Sequence, residues 1–578
     1  MPAARSGPAS NHFWRFCRVP RRLVPSLLVS GLVLLASTRA LATGPQGTIK
    51  HVIAVVQENR TPDNLFHLDS TLVSRGADVI PLATPQCKKP NQAAFEVPLV
   101  SAPLDACFDP NHSHGAWKAT WDSGAMDGAC NLGVKYPFEP PPASCEITYP
   151  EYTYVSDADH NLDAYFKIAE NYGFSNYFFQ TNQGPSFPAH QFLFGGTSAP
   201  ICCGDSQNLY QWFAAENPVI PQQPGAGENT GCTAPPTEYS TLIDTGKQEG
   251  SCPNPNDLHC AYTCYDHKTM ANVLNPLSRG QTDPQNWLYY VSLINHGSTS
   301  IWTAPNAILS ICGLHPNGQC DNTDDWKRVV TGKTRNGDHA AILTDIESCQ
   351  LPKVAWVVPD GHWSDHPGHS IAQGDGPHDG GPSWVAAIIN DVIDASTCDS
   401  GAGYWSDTVI FVVWDDWGGF YDHVPPYRCT QQLGCIGYPD PTQDGSQYVY
   451  GFRVPMLVVG GYVTPGYISG TPSQGGEVQP YIHDFGSILG FIEYTFGTNE
   501  IEANYHFADH WSPDSLGGGC SQAVCPYPLA DFFNFSQFHN PVRITPTKYD
   551  KSCFHDGSCF AANFVEADPD DDSIDEQN

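Results

Sequence analysis

Five short apolar runs punctuate the chain, and each ends abruptly in polar or small residues. Ile49–Val56 (IKHVIAVV) leads into Gln57-Glu58-Asn59-Arg60, and Trp287–Leu293 (WLYYVSL) into Ile294-Asn295-His296. Val354–Val358 (VAWVV) leads into Pro359-Asp360-Gly361, and Thr408–Val413 (TVIFVV) into Trp414-Asp415-Asp416. The fifth, Val454–Val459 (VPMLVV), stops at Gly460-Gly461. Runs that are apolar throughout and rich in β-branched residues read as strands covered on both faces, the habit of a parallel sheet. Helical periodicity over Trp384–Asp394 and Phe485–Phe496 supplies covering helices. The expected class is therefore α/β, a mostly parallel sheet flanked by helices. Ligands in such folds sit beyond the carboxyl ends of the strands. That rule gathers Glu58, Asn59, Asp360, Asp415 and Asp416 on one edge.

Outside these runs the pattern changes twice. Arginines 5, 15, 18, 21 and 22 precede an apolar stretch, Leu23–Ala36, and small residues follow at Ala40-Leu41-Ala42. About 14 apolar residues suit a signal peptide and fall short of the roughly 20 that span a bilayer. Residues 1–42 are expected to be removed, leaving a secreted or periplasmic protein without a stable membrane anchor. Residues 201–283 lack periodicity and are rich in Cys, Pro, Gly and Asn, so they read as a disulfide-stapled insertion or cap within a catalytic domain spanning 43–547. A C-terminal extension, 548–578, closes with an acidic tail from Glu566 to Glu576.

Charge and cysteine usage narrow the function classes. The formal charge is −34, and loss of six arginines with residues 1–42 leaves 21 Lys+Arg against 61 Asp+Glu, or −40. Such a surface repels phosphate backbones and argues against nucleic acid as a partner, while it favours divalent cations. Of 21 cysteines, Cys17 lies in the leader, which leaves an even 20. An even count in a secreted chain points to disulfides. A thiolate zinc site would need close pairs such as Cys260 and Cys264, and no second matching pair accompanies them.

Candidate chemistry follows from residue type and place. Two adjacent carboxylates directly after an apolar strand, Asp415-Asp416, repel one another unless a cation or proton intervenes. Helix capping or a solvated loop is the plainer alternative. Gln183-Gly184-Pro185-Ser186-Phe187-Pro188 reads as a turn into a helix, with Ser186 at the N-cap and Pro188 in the first turn. A serine there meets helix N–H groups and the positive end of the dipole, a seat for a phosphoryl group. Histidines cluster at His112 and His114 (DPNHSHGAW), at His366 and His369 (SDHPGHS) and at His423 (WGGFYDHVPP), as metal ligands or donors to an oxyanion.

Together these segments are similar to the ordered blocks of the bacterial phosphoesterase family, which contains phosphatidylcholine-type phospholipases C and acid phosphatases and is related to the alkaline phosphatase superfamily. The blocks are IKHVIAVVQENRTPDNLF, DPNHSH with W-x-x-G-x-M-D-G, NQGPSFPAHQFLFGGTSAP, VAWVVPDGHWSDHPG and TVIFVVWDDWGGFYDHVPP. The resemblance runs from Thr48 to Thr547 apart from the Cys-rich insertion. It implies an alkaline-phosphatase-like core and a serine nucleophile, Ser186. It also implies one divalent metal, calcium, zinc or another, held by Glu58, Asn59, Ser186, Asp415 and Asp416. His112, His366 and His423 take the place of phosphate-contacting or acid/base histidines. The implied substrate is a phosphate mono- or diester, a phospholipid among the options. Three departures stand out: ENRTPDNLF replaces the usual ENRSFD-x-Y-F, Ala189 followed by His190 stands where Asn is common, and Asp416 where many relatives carry Glu. Two alternatives remain, a sulfatase-like hydrolase and a calcium-binding secreted protein without catalysis. Residues 186–190 read SFPAH, which lacks the C/S-x-P-x-R of a modified sulfatase nucleophile.

Overall fold

The computed structural model describes residues 44–136, 145–200, 212–218, 230–244, 248–252, 257–277, 285–291, 301–313, 320, 323–331, 338–368, 376–426, 450–471, 481–502, 507–512 and 526–560. The segment 1–42 expected to be a signal peptide, the acidic tail, His296 and His369 lie outside these residues. An eight-stranded sheet forms the centre. Its strands in chain order are β1 (His51–Gln57), β2 (Gly173–Ser175), β3 (Trp287–Tyr290), β4 (Val329–Val330), β5 (Val354–Val357), β6 (Thr408–Trp414), β7 (Met456–Gly460) and β8 (Tyr467–Ser469). They lie side by side as β4-β3-β5-β1-β6-β7-β2-β8.

The four long apolar runs form the middle of this sheet, and they are parallel, as the pattern predicts. Every residue of β6 is buried, as is all of β1 after His51. The fifth run differs in direction. Strand β7 is antiparallel to β6, with Val413 opposite Met456 and Val409 opposite Gly460. The strand begins at the edge where β6 ends, which is what antiparallel pairing requires. As a result Phe452 and Arg453, not Gly460, lie at the edge where β1 and β6 end. The short strands β2, β4 and β8, two or three residues each, carry too little pattern to be read in advance.

Helices cover both faces, and side-chain alternation decides which helix meets which residue. Relevant helices are α1 (Asp163–Asn171), α2 (Ser186–Gly195), α3 (Gly381–Asp394) and α4 (Phe485–Phe496). Phe411 of β6 meets Phe491 of α4 at 5.2 Å, and Trp356, in the same register as Phe411 across β1, meets Phe194 of α2 at 5.0 Å. Trp414, three residues on and therefore on the opposite face, meets Tyr165 of α1 at 5.2 Å. Helices α2 and α4 thus share one face, and α1 the other.

Seven disulfides join described cysteines: 87–130, 107–145, 232–264, 252–260, 312–320, 349–398 and 553–559. Cys260 and Cys264 bond to different partners, which removes them as a thiolate metal pair. Within the Cys-rich stretch a small antiparallel sheet pairs Phe213–Ala214, Tyr239–Ile243 and Cys260–Tyr262. Phe213 is buried against Phe192 of α2, and Trp212 stacks on His259 at 4.5 Å, so both rings pack inward. Beyond residue 547, Phe554 and Phe560 pack on Trp363.

Candidate active site

The site is set by neighbouring strand ends. Gln57 closes β1 directly opposite Trp414, which closes β6, so Glu58-Asn59 and Asp415-Asp416 emerge side by side. Glu58, Asn59, Asp415, Asp416 and Ser186 are all fully buried. Continuing the alternation of the strands, Glu58 and Asp415 turn toward the face that α2 covers. Asn59 adopts φ 60°, a left-handed conformation that asparagine tolerates better than most side chains. This turn lets its N–H donate to Asp415 Oδ1 at 3.0 Å. The loop after Asp416 passes so close that a Cβ on Gly418 (φ +61°) would lie 2.5 Å from the Asn59 carbonyl oxygen. The Gly418 N–H donates to Asp416 Oδ1 at 2.7 Å.

Ser186 is brought to this pair of loops. Its hydroxyl donates to Asp416 Oδ2 at 3.1 Å and lies 3.5 Å from Asn59 Oδ1. Pro185, in extended conformation, is the N-cap, so Ser186 is the first helical residue and its side chain caps nothing. That corrects the expected N-cap placement: the hydroxyl is released for the strand-end groups because proline occupies the capping position. Gly184 approaches Ala215 so closely that a Cβ there would fall 1.9 Å from its carbonyl oxygen. The helix start offers fewer backbone donors than its sequence implies, since Phe187 N–H donates to Asn217 Oδ1 at 2.9 Å and Pro188 has none.

Three histidine positions are placed differently. His112 Nδ1 donates to the Pro110 carbonyl at 2.9 Å, which makes Nε2 the acceptor from Asn59 Nδ2 at 3.1 Å. His366 Nδ1 donates to the Pro367 carbonyl at 2.6 Å, and its ring centre lies 6.1 Å from that of His112. The loop bearing His366 is anchored by Asp365, whose carboxylate accepts from Tyr165 OH and Trp414 Nε1, each at 2.9 Å. Burial pushes the Asp365 carboxyl up to about 6, against the pull of Arg60. His423 is not brought to the cluster. Its ring nitrogens meet Asp63 at 2.8 Å and Asp78 at 3.0 Å, in a buried network where Arg453 also holds Asp422 and Asp63. The phosphate-contacting role that the resemblance assigns to His423 therefore has no geometric support, because both nitrogens are engaged elsewhere. Asp360 likewise turns to its own neighbour, His362, at 2.7 Å.

One residue of the site escapes the motif reading. His190, fully buried, lies 3.1 Å from Glu58 Oε1 and 3.9 Å from Asp415 Oδ2. Its spacing of four from Ser186 on one helix is the signal, since such pairs share a face.

The donor set fits a divalent cation. Glu58, Asp415 and Asp416 bring three carboxylates into a water-excluded space, an arrangement that is strongly unfavourable without positive charge among them. Asp415 Oδ2 accepts no hydrogen bond from the described residues. One ligand atom each from Glu58, His190 and Asp415 lies within 4.8 Å of the others. The groups Asp63–Asp422–His423 and His114–Glu216–Glu249 are similarly close, but Arg453 neutralises the first and Lys118 pairs with Glu249 of the second. Among the described residues no helix is long and apolar enough to cross a membrane.

A family model described as the phosphoesterase family matches residues 49–499. The chain is 24% identical over 497 residues to a hemolytic phospholipase C of Pseudomonas aeruginosa, an alignment that covers 82% of this chain and 57% of that protein. It is also 24% identical over 439 residues to phospholipase C B of Mycobacterium tuberculosis, covering 72% and 68%. A non-hemolytic phospholipase C of Burkholderia pseudomallei is 30% identical over 183 residues, or 30% of this chain and 23% of that one. The chain thus spans little more than half the length of the Pseudomonas relative.

Proposed function

The chain belongs to the phosphoesterase family, and from that premise we propose that it hydrolyses phosphate esters with Ser186 as nucleophile and one divalent cation held by Glu58, Asn59, Asp415 and Asp416. The observation that carries this reading is the buried Ser186 hydroxyl, 3.1 Å from Asp416 and 3.5 Å from Asn59 at the start of a ten-residue helix. When bound, the cation supplies Lewis-acid stabilisation of developing negative charge and favours the ionised form of the serine. Asp416 accepts the serine proton at Oδ2 and holds Oγ in one direction for in-line attack on phosphorus. Asn59, tethered by His112 and by its own N–H to Asp415, keeps its carbonyl oxygen facing the serine. The α2 dipole adds positive potential where the phosphoryl oxygens gather. His366, as the imidazolium, gives its Nε2 proton to the leaving alcohol and keeps its Nδ1–H on the Pro367 carbonyl. Water then releases the phosphoryl group from Ser186.

The relatives' names favour a phospholipid headgroup ester, with a phosphomonoester as the second substrate class. The disulfides and the leader-like pattern of residues 1–42 support a mature protein outside the cytoplasm. Ser186→Ala is expected to lower kcat/KM for both p-nitrophenyl phosphate and its phosphocholine ester by at least about 1000-fold, with an unchanged circular dichroism spectrum. Rates near wild type in that variant eliminate the serine. Faster turnover of p-nitrophenyl sulfate than of either phosphate moves the reading to sulfate esters.

A further inference from the structure

We propose that His190 supplies a nitrogen ligand to the cation of this site and thereby selects a borderline metal such as zinc over calcium or magnesium. The inference rests on the metal-bearing reading above and adds a residue and a metal class to it.

Hydrogen-bond bookkeeping around the imidazole carries the argument. On one side of the ring, Nδ1 lies 3.4 Å from the Tyr289 hydroxyl. That hydroxyl donates its single proton to the Trp302 carbonyl at 2.7 Å, so toward His190 it presents an acceptor. Without a cation, Nε2–H donates to Glu58; with a cation bound, the proton moves to Nδ1, toward the Tyr289 oxygen, and Nε2 offers its lone pair. On that side stand Glu58 Oε1 at 3.1 Å and Asp415 Oδ2 at 3.9 Å, both acceptors. Asp415 cannot turn away, because its Oδ1 already holds the Asn59 N–H at 3.0 Å. One ligand atom from each of Glu58, His190 and Asp415 thus lies within 4.8 Å of the others in a fully buried space, where a shared cation satisfies two carboxylates and one imidazole together.

The surroundings match what a ligating histidine requires. Its second nitrogen is oriented by a hydroxyl that is itself anchored to backbone, and its ring lies nearly parallel to Trp302 at 6.4 Å between centres. Helix α2 fixes the position, since His190 stands one turn beyond Ser186 on the same face. Calcium and magnesium take oxygen donors, whereas zinc and its neighbours accept imidazole together with carboxylate. A nitrogen in the set shifts preference accordingly.

The test compares chelator-stripped wild-type protein with His190→Gln, a side chain that can still donate to Glu58. Calorimetric titration of wild type is expected to show zinc binding more tightly than calcium. The variant should lose more than about 100-fold in zinc affinity, since removal of mere outer-shell partners already costs about 10–100-fold, while calcium affinity stays within a few-fold. Independently of any variant, the cobalt-substituted wild type should show a paramagnetically shifted, solvent-exchangeable imidazole N–H resonance, from Nδ1. Equal zinc affinity and an identical cobalt absorption spectrum in His190→Gln overturn the proposal, as does the absence of the shifted resonance in wild type. Either result leaves the rest of the site standing. Failure of wild type to bind any divalent cation instead overturns the metal-bearing reading itself.

Discussion

Gly418 shows how a single residue holds the two strand-end loops of the candidate site in register. At φ +61° it adopts a conformation disfavoured for side-chain-bearing residues, and an added Cβ would sit 2.7 Å from Asn59 Cβ. Gly418→Ala must push the β6 loop away from Asn59, which separates Asp416 from Ser186. Activity on p-nitrophenyl phosphate should fall by at least about 10-fold and stability by about 1–3 kcal/mol, as measured by steady-state kinetics and urea unfolding. His423 illustrates a residue held in a buried charge network by Asp63 and Asp78. Burial works against its charge, yet the hydrogen bonds to Asp63 and Asp78 prevail and push its pKa up to about 10 from 6.5. A histidine with a raised folded-state pKa binds more protons when folded, so its stabilisation is complete below pH 6.5 and is lost as pH rises through 10. The melting temperature should decline across that window, and His423→Gln should flatten the decline while lowering stability at pH 6.

At the scale of elements, α2 and α4 are positioned from their N-termini. Pro185 caps α2 without a side-chain bond and so leaves Ser186 for the site. Asp484 caps α4 by accepting from Ser487 N–H at 3.0 Å, while its own N–H donates to Ser487 Oγ at 3.0 Å. Thr181, in the segment leading to Ser186, accepts from Phe485 N–H at 3.2 Å and reaches Asp484 Oδ2 at 3.4 Å. The α4 cap and the approach to Ser186 are therefore one hydrogen-bonded unit. Asp484→Ala should cost about 1–2 kcal/mol in chemical denaturation and reduce kcat more than it raises KM, because it loosens Ser186, the proposed nucleophile, rather than a substrate contact.

For the whole molecule, the core sheet is wrapped by segments that disulfides tie down. Cys349–Cys398 closes a loop with a sequence separation of 49 residues, which includes β5, the His366 loop and α3. Chain-entropy reasoning assigns such a loop about 4 kcal/mol. The Cys349→Ala/Cys398→Ala double variant should melt about 3–4 °C lower by calorimetry. Much of this architecture was legible in the chain: apolar runs filled with β-branched residues can be satisfied only by burial on both faces, so β1, β3, β5 and β6, their parallel pairing and the edge carrying Glu58, Asn59, Asp415 and Asp416 follow from local pattern. Their adjacency followed too once β1 and β6 were neighbours, but that neighbourhood is a property of strand order, which no local pattern encodes. Strand β7 read correctly as a strand and wrongly in direction, because orientation depends on where a connection re-enters the sheet. The histidines divide for the same reason. A ring's role is set by which groups meet its two nitrogens, and those partners, Asp63 and Asp78 for His423, Glu58 and Tyr289 for His190, lie 99 to 360 residues away. Burial preference is written residue by residue; the meeting of distant polar atoms exists only after the chain has folded.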